Sequence, residues 1–160
     1  MAGRSSLAVG VALSMLVARG AIAVEVQLPA HTAITAPGQS ATVALSIAPI
    51  TTQDGVLAGA FSFTYAGAVA TATGAVPGAL LAACTTTTNL TGGRVTLIFA
   101  CTQALPNGGT LFTVTFQGVA VGVSPLVFSA TGTIPDGCTI NEGTPSCQPS
   151  GGELVRIHPA

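Results

Sequence analysis

The sequence predicts an all-β fold, a jelly-roll or Greek-key β-sandwich of about nine strands with two disulfides. Three observations predict it. Short stretches of Val, Ile, Thr and Phe alternate with small polar residues at period two, the spacing of a half-buried strand. Pro and Gly clusters break these stretches about every 8–12 residues, as turns do in sandwiches. Four cysteines sit in a chain with an export signal, where thiols pair.

The elements follow in order. Met1-Ala2-Gly3-Arg4 is positively charged, Leu7 to Ala18 is apolar, and Ala21-Ile22-Ala23 has the small-x-small pattern read by signal peptidase. The apolar run falls short of the ~20 residues that span a bilayer, and Arg19 closes it. Residues 1–23 therefore read as a bacterial-type secretory signal. Val24 is then the mature N-terminus, and residues 24–160 form one domain placed outside the cell or on its surface. No later stretch reads as a membrane span, because the apolar region from Val56 to Ala83 is broken by Gly59, Gly67, Gly74, Pro77 and Gly78.

Glu25 to Leu28 forms a first strand stopped by Pro29, and Pro37-Gly38 turns into the alternating strand Thr42 to Ile47. Val56 to Tyr65 places Phe61, Phe63 and Tyr65 on one face and Ala60, Ser62 and Thr64 on the other. Val69 to Val76 is a weaker strand ended by Pro77-Gly78, and Ala79 to Ala83 allows one helical turn. Arg94 to Phe99 is the second arm of a hairpin flanked by Cys84 and Cys101. Pro106-Asn107-Gly108-Gly109 then turns into Thr110 to Phe116, with Phe112, Val114 and Phe116 inward. Pro125 to Ala130 and Glu153 to Ile157 complete the set.

Three disulfide connectivities are possible, and local pairing of Cys84 with Cys101 and of Cys138 with Cys147 is favoured. Closing a loop of about 15 residues contributes roughly 3 kcal/mol in the chain-entropy account. A four-thiolate zinc site is disfavoured, because no C-x-x-C pair is present and the compartment is oxidising. Cys138 and Cys147 bracket a polar loop, Thr139 to Ser146.

Composition excludes several functions. From Val24 onward there are two arginines (Arg94, Arg156), no lysine, and five acids (Glu25, Asp54, Asp136, Glu142, Glu153). Such a chain has no basic patch for nucleic acid or an anionic membrane. Catalysis needs convergent acids, bases, nucleophiles or ligands, and few are present. Ser124 has no G-x-S-x-G context or histidine beside it, and His31 and His158 lie near the two ends. Asp136 and Glu142 are conceivable as a carboxylate pair or calcium ligands, but no D-x-D-x-D run supports them. Asn89-Leu90-Thr91 matches a glycosylation sequon, set aside because the signal is bacterial in type. The chain reads as no enzyme, with no cofactor.

An ordered set of segments resembles a cohesin-type module of cellulosome scaffolds, a jelly roll related to certain cellulose-binding modules. The matching residues are Pro37-Gly38, the run Val56-Leu57-Ala58-Gly59-Ala60-Phe61-Ser62-Phe63-Thr64-Tyr65, then Gly109-Thr110-Leu111-Phe112-Thr113-Val114-Thr115-Phe116. Pro125-Leu126, Asp136-Gly137 and Gly152-Glu153-Leu154-Val155-Arg156-Ile157 follow, so nearly all of the mature chain is covered. The resemblance implies a non-catalytic module that presents a flat sheet face to a dockerin, a small calcium-binding helical module, or takes part in polysaccharide-associated assembly. It assigns no individual contact residues, so the binding face stays open.

Two alternatives accompany this reading. A carbohydrate-binding module would stack sugar on exposed aromatics, yet all six Phe residues fall on inward faces, and Tyr65 continues the Phe61–Phe63 face as core or rim. A structural surface or appendage subunit would assemble through strand edges, which lysine does not guard in this chain.

Overall fold

The computed structural model describes residues 23–36 and 38–156. The signal-peptide reading of residues 1–23, apart from residue 23 itself, and those for Pro37, Ile157 and His158 lie outside the described residues. Among the described residues twelve strands form, in order β1 (Val24–Gln27), β2 (Thr32–Ile34), β3 (Ser40–Ile47), β4 (Ala58–Thr64), β5 (Ala70–Pro77) and β6 (Thr85–Thr91). These are followed by β7 (Arg94–Ala100), β8 (Gly109–Gly118), β9 (Gly122–Phe128), β10 (Cys138–Ile140), β11 (Cys147–Ser150) and β12 (Gly152–Arg156). One sheet has the order β11-β1-β3-β8-β5; the other has the order β2-β12-β9-β4-β7-β6, with β10 added to β4.

The inward faces follow the period-two pattern of the sequence. In the first sheet Val43 pairs with Val114 and Leu45 with Phe112, and all four are fully buried. In the second, Phe61 pairs with Leu97 and Phe63 with Val95, again without exposure. Burying each such side chain is worth about 1.5–3 kcal/mol. Phe61 stacks on Phe99 with ring centroids 6.1 Å apart, and Tyr65 meets Phe116 edge-on at 5.1 Å, which links the two layers. A bulge after Leu45 leaves Leu111 unmatched between the Phe112 and Thr110 pairs. Leu111 and Phe112 are therefore both buried, although neighbours in a regular strand would face opposite ways.

The strand count exceeds the expected nine. The additions are β2, β10 and β11, which have three, three and four residues, too short to display any period. Their formation depends on a neighbouring strand: β2 runs parallel to β12, β10 antiparallel to β4, and β11 parallel to β1. The supposed polar loop after Cys138 is thus partly strand, and its Ile140 is fully buried in the core.

The Thr tract forms the first arm of the β6–β7 hairpin. Gly92 and Gly93 close it with φ of 58° and 79°, the left-handed pair that a two-residue turn needs to match strand twist. Cys84 and Cys101 are bonded just beyond the terminal pair Thr85–Ala100, with Cα atoms 4.4 Å apart. Cys138 is bonded to Cys147, Cα atoms 5.8 Å apart, which ties β10 on the second sheet to β11 on the first. The helical turn expected near Ala79 is a 3-10 turn over Ala79–Leu81, with Leu81 buried.

Candidate functional site

Each sheet has one outward face, and the two differ in apolar surface. On the β11-β1-β3-β8-β5 sheet the outward residues include Glu25, Gln27, Thr42, Ser46, Thr113, Thr115, Gln117 and Thr71, with Val76 at its rim and Val119 just after β8 as large exposed apolar side chains. The other sheet exposes Ile98 on β7 and Val123 and Val127 on β9, with Leu57 just before β4. Around them lie Ala58, Ala60, Thr96 and the β6 threonines. Arg94 is the sole charged residue on β6, β7, β4 and β9. Its Nη1 donates to Ser62 Oγ at 2.7 Å and to the Ser129 carbonyl at 3.0 Å, so its charge is bound internally.

Ser62 corrects the sequence reading. Its place opposite Phe61 and Phe63 predicted an outward side chain, yet it is fully buried. The cause is the segment after β9: Ser129 N–H donates to the Ser62 carbonyl, Arg94 takes the hydroxyl, and Gly137 passes close by. Gly137 has φ of 74°, and a Cβ there would lie 2.4 Å from Ser129 N and 2.5 Å from the Ser62 carbonyl oxygen. Only glycine fits this crossing. The same segment buries Ile134 outside the central core.

This segment and the stretch after β10 make one wall of a cleft of about 670 Å³. Its floor is Ala58, Ala60 and Ile98; its wall includes Ile134, Asp136, Thr139, Asn141 and Glu142. Asn141, which drew no attention in the sequence, holds this wall in place. Its Oδ1 accepts from the Leu57 and Ala58 N–H groups, both at 2.9 Å, and its Nδ2 donates to the Gly55 carbonyl at 2.6 Å. Asn141, Glu142 and Asp136 all have positive φ, of 47°, 62° and 57°. Asparagine and aspartate tolerate that region better than most residues, which is the one local signal the sequence offered.

Asp136 and Glu142 therefore line one cleft, but no group of three His, Cys, Asp or Glu able to hold a metal exists among the described residues. Ser124 is fully buried, and its hydroxyl accepts the Ala66 N–H at 2.7 Å, a structural task. His31 pairs with Glu153 on the surface, Nδ1 to Oε1 3.2 Å, an exposed arrangement of little energetic weight. Asp54 and Thr51 cap a 3-10 turn over Thr52–Asp54 reciprocally. The four cysteines are all in disulfides.

The aromatic side chains offer no platform for sugar rings. Phe61, Phe63, Phe99, Phe112 and Phe116 are buried, Phe128 packs edge-on against Phe63, and Tyr65 is half-buried against Phe116. The Tyr65 hydroxyl accepts the Ala72 N–H at 3.3 Å, which fixes it as a rim residue joining β4 to β5. Tyr65→Phe is expected to lower stability by about 1 kcal/mol, the net value of one such bond, in denaturant unfolding. Retention on insoluble polysaccharide should not change.

Comparison with solved structures decides the architecture. The chain superposes on a non-cellulosomal cohesin from the hyperthermophilic archaeon Archaeoglobus fulgidus with a TM-score of 0.68, over 86% of this chain and 93% of that one, at 14% identity. This is a cohesin fold. A second cohesin match is the third cohesin of ScaC from Acetivibrio cellulolyticus, solved in complex with the ScaB dockerin (TM-score 0.67, 14% identity, 84% and 99% of the two chains). A third is the seventh ScaB type I cohesin of Pseudobacteroides cellulosolvens (TM-score 0.65, 17% identity, 86% and 94%). The sequence itself matches no protein-family model and no curated protein. The cohesin fold agrees with the resemblance drawn from the ordered strand segments.

Proposed function

We propose that this chain is an exported, non-catalytic binding module that takes a dockerin-type protein on the outer face of β6, β7, β4 and β9. One observation carries the reading: this cohesin-fold sheet face is uncharged toward solvent, bears the exposed Ile98, and adjoins the Asn141-held cleft. Exposed apolar groups rimmed by polar ones mark protein interaction surfaces. A solved cohesin of the same fold, from Acetivibrio cellulolyticus, is bound to a dockerin. Two disulfides support an oxidising, extracytoplasmic location. Among the described residues no helix is long and apolar enough to cross a membrane.

The partner face sets the physics of recognition. Threonine hydroxyls of β6 and β7 supply hydrogen bonds, Ile98 supplies the apolar anchor, and the cleft beside it receives a projecting side chain. With Arg94 committed internally, the charges beside the face are the cleft-wall acids Asp136 and Glu142, so long-range steering is weak. Affinity measured by calorimetry from low to high sodium chloride is therefore expected to stay nearly flat. A steep fall with salt would point to a charged interface elsewhere.

Capture from the producing organism's secreted proteins tests the reading, with the oxidised mature protein as bait. Recovery of dockerin-bearing proteins, lost on adding a calcium chelator, is the expected result. Retention on polysaccharide with no protein captured would replace it with the carbohydrate reading.

A further inference from the structure

Edge strands are where one β protein can add to another, because half of their N–H and C=O groups have no ladder partner. Among the described residues five strands have a ladder partner on one side only: β11, β5, β2, β10 and β6. Four of them are blunted. β11 has four residues and contains Pro149; β2 and β10 have three residues each; β5 is bulged between Ala72 and Gly74 and ends in Pro77. Short length, proline and bulges are the devices that stop unwanted strand addition.

β6 has none of them. Thr85–Thr91 runs seven residues in unbroken register with β7, without proline, glycine, bulge or charge. Thr85, Thr87, Thr88, Asn89 and Thr91 are exposed. The hairpin turn and the Cys84–Cys101 bond hold both ends of the strand, so little order remains to be imposed on binding. We propose that β6 is an assembly edge, at which a second copy of this chain pairs antiparallel through its own β6 about a two-fold axis.

A second copy fits this edge because a two-fold axis sets identical strands against each other. Centred on Thr88, the pairing sets Thr85 against Thr91 and Thr87 against Asn89, polar cross-strand pairs that hydrogen-bond, and no like charges are opposed. Pairing proceeds in the plane of the sheet. The outer faces of both copies therefore stay open and point the same way, so a dimer would present two Ile98 surfaces side by side.

Thr88 offers a selective test. It lies in register with the buried Leu97, on the inward-facing row, yet is itself exposed at the edge. A lysine there is the inward-pointing charge that guards natural edges. Sedimentation velocity on the oxidised mature protein, across a dilution series, should show the mass rising from monomer to twice that value. Thr88→Lys should stay monomeric throughout with an unchanged thermal midpoint. Should that variant unfold, amide exchange of the unsubstituted protein decides: protection that grows with concentration and is confined to β6 supports the pairing. A monomer at every concentration, a dimer that Thr88→Lys leaves intact, assembly beyond the dimer, or β6 exchange independent of concentration would each overturn it.

Discussion

Ile98→Asp is expected to weaken capture of a dockerin-type partner by about 30- to 1,000-fold, equivalent to about 2–4 kcal/mol, the range of an interface hot spot. Ile98 is 39% exposed and stands between Thr87 on β6 and Ala60 on β4, at the floor of the cleft. An apolar side chain in that position becomes fully desolvated when a partner covers the face. An aspartate would then bury a carboxylate opposite no cation, since Arg94 is already bound to Ser62 and Ser129. In the free protein the same change should be nearly silent, because the side chain points outward and water solvates the charge. Calorimetric titration with a thermal melt on each variant separates the two effects. Val76→Asp is the matched control: Val76 is 60% exposed but lies on the opposite sheet, so its variant should bind normally.

Asn141→Ala is expected to destabilise the fold by about 4 kcal/mol: three hydrogen bonds at about 1 kcal/mol each, and about 1 kcal/mol for the strain of alanine at positive φ. The bonds in question run to Gly55, Leu57 and Ala58, and so fix the entry of β4 to the cleft wall. Denaturant unfolding reads the loss directly. Asn141→Gly separates the contributions, since glycine accepts the φ of 47° and should recover about 1 kcal/mol of it. Partner affinity should fall in both variants, because the wall they loosen adjoins Ile98. An unchanged affinity in a folded Asn141→Gly protein would remove the cleft from the interface.

The sheets were legible where the residues carry their own period. Thr42 to Ile47, Arg94 to Phe99 and Thr110 to Phe116 alternate cleanly, so their inward faces follow from hydrophobic spacing, while their pairing partners come from the structure. The local disulfide pairing follows from the hairpin for Cys84 and Cys101, and from short separation for Cys138 and Cys147. What stayed hidden is tertiary. Nothing near Ser62 announces burial; a segment some seventy residues later covers it. Ile140 and Asn141 sit in a stretch whose Thr, Glu, Gly, Pro and Ser composition reads as a solvated loop, yet one joins the core and the other clamps β4. Thr85–Thr91 lacks the apolar alternation of an amphipathic strand, because as an edge it buries little on either side. The candidate face was illegible for a related reason: an outward row of Ala, Thr and one Ile becomes a surface only when β7 and β4 lie side by side.

The measurement that tests the central claim most directly is amide hydrogen exchange of this protein with and without a calcium-loaded dockerin domain. Protection on binding should concentrate on β7, β4 and the wall from Thr133 to Glu142, while β1, β3 and β8 exchange as before. Protection on the β1-β3-β8 sheet instead, or no difference at a saturating dockerin concentration, would contradict the account.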